Sequence, residues 1–160
     1  MITYRIALSQ DAEALLQTRR DSVLWSPEGK YSRKVLEAWS PKVDAATVCT
    51  ESQALTDPDR ITLVAESAEK MIGLCTMGIS EGLLKQCYVL PQYRGLGIAR
   101  TLVMHIETIA KENGLLSLKL SSSLIALDFY KKQGYHTLHT YEYPLGEGLF
   151  MSCVMMEKIF

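Results

Sequence analysis

Four residues, Arg94-Gly95-Leu96-Gly97, constrain this 160-residue chain more than any others. They follow the apolar, strand-like run Leu83 to Leu90, which closes at Pro91. They open the strongest amphipathic segment in the chain, in which Ile98, Leu102, Val103, Ile106, Ile109 and Ala110 recur at helical spacing. The first N–H groups of a helix have no partner within it, and the helix dipole places partial positive charge on them. No Ser, Thr, Asp or Asn stands at the usual capping position to take one of these donors. Glycines allow a tight turn and close approach of a ligand to the backbone. The segment therefore has the makings of an anion site, with phosphate as its natural guest and Arg94 and Arg100 adding charge. It is no Walker loop, because Gly97-Ile98-Ala99 stands where Gly-Lys-Ser/Thr is required. It does not suit a dinucleotide fingerprint, since Arg100 occupies the third small position and the loop comes after several strands rather than opening the domain. A tight strand–helix turn without ligand remains open at this point.

The rest of the chain supplies the frame. Ile2 to Ile6 predicts a strand. Ser9 is placed to cap a helix whose buried stripe is Ala12, Leu15, Leu16 and Val23, broken at Pro27-Glu28-Gly29. Ser32 caps a second helix with Val35, Leu36 and Trp39 on its buried side, ended by Ser40-Pro41. Residues 42–56 hint at a helix without deciding it. Strands at 61–65, 71–79 and 83–90, with turns at 67–70 and 81–82, read as an antiparallel meander. Asn113-Gly114 stops the long helix. Leu115 to Leu120 is a strand, Ser121-Ser122-Ser123 caps a last helix ending at Gln133-Gly134, and strands 135–143 and 150–159 are joined through 144–148. The segment 83–120 is a β-α-β unit, implying a parallel pair with a right-handed crossover. The fold class is mixed α/β: a mostly antiparallel central sheet of about seven strands with four or so helices, in one domain over 1–160.

Composition narrows the function classes. An apolar fraction of 48% with 22% charged residues is that of a folded globular chain rather than a disordered one. Seventeen Lys and Arg against 18 Asp and Glu leave a net charge of −1, without the basic excess of a nucleic-acid binder. No apolar run reaches membrane-spanning length, and the N-terminus lacks the pattern of a secretory signal. The expectations are no nucleic acid, no membrane and a cytoplasmic location. Cys49, Cys75, Cys87 and Cys153 show no CxxC spacing, so no metal is expected. Three of them lie in strand-like stretches and read as reduced core cysteines. His105, His136 and His139 likewise lack ligand spacing.

At the glycine loop the sequence resembles the GNAT (Gcn5-related) N-acetyltransferases. The family signature Arg/Gln-x-x-Gly-x-Gly/Ala is matched at every defined position by Arg94-Gly95-Leu96-Gly97-Ile98-Ala99. Tyr88-Val89-Leu90-Pro91 has the family's Val-x-Pro before it. Further on, Phe129-Tyr130-Lys131-Lys132-Gln133-Gly134-Tyr135 resembles the family's Phe-Tyr-x-x-x-Gly-Phe/Tyr, and the element order agrees over nearly the whole chain. The resemblance implies acetyl-CoA as co-substrate and direct transfer of the acetyl group to a primary amine in a ternary complex. It implies that the backbone from Gly95 through Leu96, Gly97, Ile98 and Ala99 to Arg100 cradles the pyrophosphate. It also implies that Cys87, Tyr88 and Val89 pair with pantetheine, one amide there polarising the thioester carbonyl. Tyr130 matches the tyrosine that protonates the leaving thiolate, as a phenol protonated at neutral pH can do. Ser123 stands where the family often has an Asn that bonds the CoA arm.

The sequence departs from the family at the base. The acidic residue common on the fifth strand is replaced by Leu118, between Ser117 and Lys119. Glu81, entering the fourth strand, is the nearest acidic candidate to take the amine's proton, directly or through a water; Glu66 and Glu142 stand behind it. Cys87 has no sequence-adjacent His to support an acyl-cysteine route. By resemblance the acceptor pocket lies between 25–39 and 141–150, which hold Trp25, Tyr31, Trp39, Tyr141, Tyr143 and Phe150, with Glu28, Lys30 and Arg33 on the loop. A small-molecule amine is expected as acceptor rather than a protein, and a homodimer is compatible with the fold. The alternative function is a non-catalytic acyl-CoA-binding or sensing domain. An interaction module without ligand would leave the loop unexplained.

Overall fold

The computed structural model describes residues 1–27 and 29–160. Glu28 lies outside the described residues. Seven strands form one sheet in the order β1-β2-β3-β4-β5-β7-β6: β1 (Ile2–Ile6), β2 (Arg60–Ser67), β3 (Lys70–Gly78), β4 (Leu83–Val89), β5 (Ser117–Ser123), β6 (His136–Gly146) and β7 (Leu149–Ile159). Every neighbouring pair is antiparallel except β4–β5, the parallel pair that the β-α-β reading requires. The helices are α1 (Ala12–Leu24), α2 (Arg33–Trp39), α3 (Ala45–Ala54), α4 (Ile98–Glu112) and α5 (Leu127–Lys132).

Each sheet face carries its own apolar cluster. On one, α4 lays Ile98, Leu102, Val103, Ile106 and Ala110 against Cys75, Met77, Leu118, Leu120 and Met156, all buried. The burial of roughly ten such side chains, at about 1.5–3 kcal/mol each, is the main attachment of α4. On the other, Leu15 of α1 meets Ala7, Val64, Met71 and Leu74. The expected α1 stripe is buried as read, and Thr18 and Ser22 are buried with it.

The structure corrects several local readings. Ser9 does not cap α1. It starts a short 3-10 turn, and Asp11 holds the helix entrance, its carboxylate accepting the Leu8 N–H (2.7 Å) and two bonds from Arg5. The undecided 42–56 stretch contains α3, because Asp44 and Thr47 exchange side-chain and backbone bonds in a capping box, and this raises the helix count to five. The serine run does not cap α5 directly: it is the end of β5, and Ser123 Oγ instead accepts the N–H of Ala126 (3.2 Å), ordering the turn before the helix. The last hairpin is tighter than the 144–148 connection predicted. β6 runs on to Gly146, and Glu147 and Gly148, both at positive φ, make the turn.

Candidate active site

The site begins where the sheet comes apart. β4 and β5 pair only at Leu83↔Lys119 and Leu84↔Leu120. Just beyond, Lys85 is an extra residue on β4, since Met77 opposes Leu84 while Thr76 opposes Gln86. Such a bulge bends a strand and sharpens its twist. β4 stays paired to β3 through Val89 while β5 stays paired to β7 through Ser123, so the two middle strands part. A cavity of about 520 Å³ fills the gap. It is reached from both faces of the sheet: Ile98, Ala99, Phe129 and Tyr130 line it on the α4 side, and Ser22, Val23, Ser26 and Trp39 on the side of α1 and α2.

At one end of this cavity lies the glycine loop. Gly95 and Gly97 have φ of +79° and +78°, a region that costs an L-residue about 1–2 kcal/mol. A Cβ placed on either would meet no atom within 4 Å, so the conformation, not crowding by the protein, requires glycine, and the space above the loop is open. Gly97 is the N-cap of α4 and offers no side chain; the first helical bond is donated by Thr101 to the Gly97 carbonyl. Among the described residues nothing accepts the N–H groups of Ile98, Ala99 and Arg100. An uncapped helix start lacks about 1 kcal/mol of stabilisation, and here it faces a cavity. These are the properties an incoming diphosphate would use, so the residues present fit a CoA-type ligand.

Of the sequence-predicted residues, Cys87, Tyr88, Val89, Arg94, Gly95, Gly97, Ile98, Ala99, Arg100, Ser123 and Tyr130 all line the cavity. Leu96 does not; its side chain is exposed on the far side of the loop. Arg94 has a different task from the charge donor expected of it. Its guanidinium donates to the carbonyls of Ser22 (3.1 Å) and Val89 (3.4 Å) and lies over the Trp25 ring, tying α1 to the loop. Glu81 is not brought to the cavity. Its carboxylate is half exposed and pairs with Lys85 Nζ at 2.6 Å, so it reaches the lining only through that lysine. Glu66 is held by Arg5, and Glu142 accepts the Ser152 hydroxyl; neither lines the cavity. Among the described residues the lining contains no carboxylate, but it contains the cations Lys85, Arg94 and Arg100.

Tyr130 is buried, with its ring edge-on to Phe129 and Tyr135 at 5.0 and 5.7 Å. Burial first, and then the neighbouring Cys87 and Cys75, push its phenol well above the ordinary tyrosine range, so it holds its proton throughout the neutral region. No described residue bonds its hydroxyl. Tyr31, by contrast, is fully engaged: its hydroxyl accepts the Leu124 N–H (2.7 Å) and donates to the Ser152 carbonyl (2.6 Å), and burial raises its pKa to about 12.

Trp39, which the sequence puts both on a buried stripe and in the expected acceptor segment 25–39, forms cavity wall, packed against Tyr31 and Tyr88. Other site residues escaped the sequence reading. Arg19 and Arg20 of α1 hold α2 there by donating to the Trp39 and Ser40 carbonyls. Gln86 enters the lining with its buried Oε1 unpartnered, and Ser22, almost completely buried, has an unpartnered hydroxyl. The i,i+1 pair Arg19-Arg20 on an otherwise amphipathic helix was the one local signal that could have pointed to this wall.

Comparison with known proteins places this architecture. The family model for the acetyltransferase (GNAT) domain matches residues 27–152, and the chain belongs to that family. Its activity class is that of the acetyl-CoA-dependent N-acetyltransferases. A spermidine N(1)-acetyltransferase of Thermoplasma acidophilum is 27% identical over 133 residues, covering 79% of this chain and 83% of that protein. A solved N-acetyltransferase, PaiA, from Thermoplasma acidophilum in complex with coenzyme A superposes with a TM-score of 0.80 at 25% identity, covering 100% of this chain and 99% of that one. A GCN5-related N-acetyltransferase from Rhodopseudomonas palustris shares the fold with a TM-score of 0.87 at 23% identity, over 99% and 95% of the two chains. Among the described residues no group of three or more His, Cys, Asp or Glu is placed to hold a metal ion, and no helix is long and apolar enough to cross a membrane.

Proposed function

We propose that the chain transfers an acetyl group from acetyl-CoA to the primary amine of a small molecule by direct attack in a ternary complex. The observation that carries this reading is the continuity of the cavity. The uncapped end of α4, the parted edge of β4 and the Tyr130 ring all border one space that also opens toward α1 and α2. Acetyl-CoA would supply the activated thioester. The amides of Ile98, Ala99 and Arg100 would hold its diphosphate at the positive end of the helix. The backbone of Cys87 to Val89, on the β4 edge that β5 has left, would bind the pantetheine arm. Ser123 Oγ, already accepting from Ala126, keeps a hydroxyl proton for a further bond.

Tyr130 holds a proton at its hydroxyl for the departing thiolate. Its raised pKa prevents loss of that proton before the sulfur leaves, and its freedom from other partners leaves the hydroxyl available. No described carboxylate stands ready to take the amine's proton, so the acceptor reaches the site as the free amine or loses its proton to water in the open cavity. The cationic, carboxylate-free lining supports a compact acceptor with few positive charges over a long polycation. Spermidine, the acceptor named for the Thermoplasma relative, belongs in the test as the polycationic case.

The test is a thermal-shift titration with acetyl-CoA followed by thiol release over a panel of monoamines, diamines and spermidine. A ligand at 100 times its Kd stabilises by about 2.7 kcal/mol, enough to raise Tm by a few degrees. A shift with acceptor-dependent thiol release is expected. A shift without release for any amine would favour the non-catalytic binding domain, and no shift would overturn the loop assignment.

A further inference from the structure

Two of the four cysteines face each other across β3 and β4. Cys75 and Cys87 are register partners. The bond from the Leu90 N–H to the Ile72 carbonyl (2.8 Å) marks 72–90 as a hydrogen-bonded pair of this antiparallel ladder. Counting by the alternation of the ladder, 73–89 is a non-hydrogen-bonded pair, 74–88 a hydrogen-bonded one, and 75–87 again non-hydrogen-bonded. This second type brings the Cα atoms to about 4.5 Å and turns both side chains to the same face. A disulfide needs Cα atoms roughly 4.4–6.8 Å apart. Burial first, and then the neighbouring Cys87, push the Cys75 thiol well above the ordinary cysteine range. Both are free thiols, Cys75 fully buried under α4 and Cys87 half-buried with its side chain in the cavity wall. Exposure is thus asymmetric: a small solute in the cavity meets Cys87 and does not reach Cys75.

We propose that Cys75 and Cys87 form a modification site, a dithiol that a hydroperoxide entering the cavity converts to a cross-strand disulfide. In the first step the Cys87 sulfur attacks one oxygen of hydrogen peroxide, the O–O bond breaks, and the departing hydroxide takes the Cys87 thiol proton and leaves as water, so that Cys87 becomes a sulfenic acid. In the second the Cys75 sulfur attacks Cys87, the S–O bond breaks, and the Cys75 proton leaves with the hydroxyl as a second water. The peroxide accepts two electrons and the pair loses them. Tyr130 shares an apolar cluster with Cys75 and a cavity wall with Cys87, and Cys87 begins the backbone stretch assigned above to the pantetheine arm, so closing the bond changes the site at its centre. That last consequence rests on the acetyl-transfer reading; the covalent chemistry does not.

Trypsin separates the partners, because Lys85 lies between them: residues 71–85 carry Cys75 and residues 86–94 carry Cys87. The protein is treated with hydrogen peroxide, alkylated, digested without reductant and analysed by mass spectrometry. The expected result is peptide 71–85 joined to 86–94 and separated again by dithiothreitol. Turnover is expected to fall about tenfold or more, as a small misplacement at a reacting centre does, and to recover on reduction. In Cys75→Ser, Cys87 is expected to proceed to the sulfinic acid with no recovery. Sulfinic Cys87 in the wild-type chain without linked peptides, or linkage of Cys87 to Cys49, would overturn the site. Linked peptides with unchanged turnover would overturn its bearing on catalysis. The peptide measurement needs no acceptor amine, so its failure is distinct from a failure of the functional reading.

Discussion

The two ends of the cavity are built from different materials. Around the glycine loop the wall is backbone: two residues at positive φ, a helix start without a cap, and the edge of β4 beyond its last pairing with β5. Around α2 the wall is side chain. Trp39 is held against Tyr31 and Tyr88, Tyr31 bridges to β5 and β7, and two arginines of α1 hold the last turn of α2. Backbone geometry at positive φ tolerates almost no residue but glycine, so the first end has a narrow set of sequences. A packed wall can be made from many combinations of shape and polarity, so the second has a wide one. A binding site for a constant ligand suits the first construction, and one for an acceptor that differs among relatives suits the second.

The largest effect is expected at the backbone end. Gly97→Glu sets an L-residue at φ +78° and a negative charge where the helix dipole is positive. The side chain and its negative charge stand where the diphosphate would sit, so binding of CoA should be lost in calorimetry, with the far-ultraviolet circular dichroism spectrum retained. Unchanged affinity in a folded variant would erase the distinction between the two ends. Next is Tyr130→Phe, which keeps the ring and its aromatic contacts but removes the proton. Turnover should drop by about 10²–10⁴ with CoA affinity unchanged, and equal losses in both would make Tyr130 a packing residue. The smallest effect belongs to the side-chain wall. Tyr31→Phe removes the acceptor of the Leu124 N–H, costing about 1–3 kcal/mol of stability in chemical denaturation. It should raise KM for the amine several-fold and leave CoA affinity alone, since Tyr31 does not line the cavity itself.

The same contrast explains what could be read in the sequence. The succession of strands along the chain, the parallel β4–β5 pair and α4 follow from short-range patterns of apolar spacing, turns and glycines, and they are all present. α3 was left undecided because its ten residues carry little amphipathic contrast and none is buried; its start is fixed by Asp44 and Thr47. The Ser9 reading failed because Asp11 is recruited by Arg5 from β1, a contact between elements that the first-turn sequence alone does not show. At the site, the loop and Tyr130 were legible through motif and context. The buried stripe and the expected acceptor segment both include Trp39, but its place in the wall depends on neighbours from β4, from the loop before α2 and, through Tyr31, from β7. Glu81 lies near the fourth strand in the chain, but in the fold it pairs with Lys85, the extra residue of the bulge.

The seam between β4 and β5 also bears on the mechanics of the molecule. Ladder hydrogen bonds are directional and resist a change of angle, but only two register pairs cross this seam. An apolar layer beneath α4 also joins β1–β4 to β5–β7, where Met77 and Cys75 of one half share a cluster with Leu118, Leu120 and Met156 of the other. Apolar contact has no preferred direction and tolerates small rotations as long as area stays covered. The two halves of the sheet are therefore joined through side chains more than through a ladder, and a ligand lying along the seam would take up backbone donors and acceptors that the two strands do not offer each other.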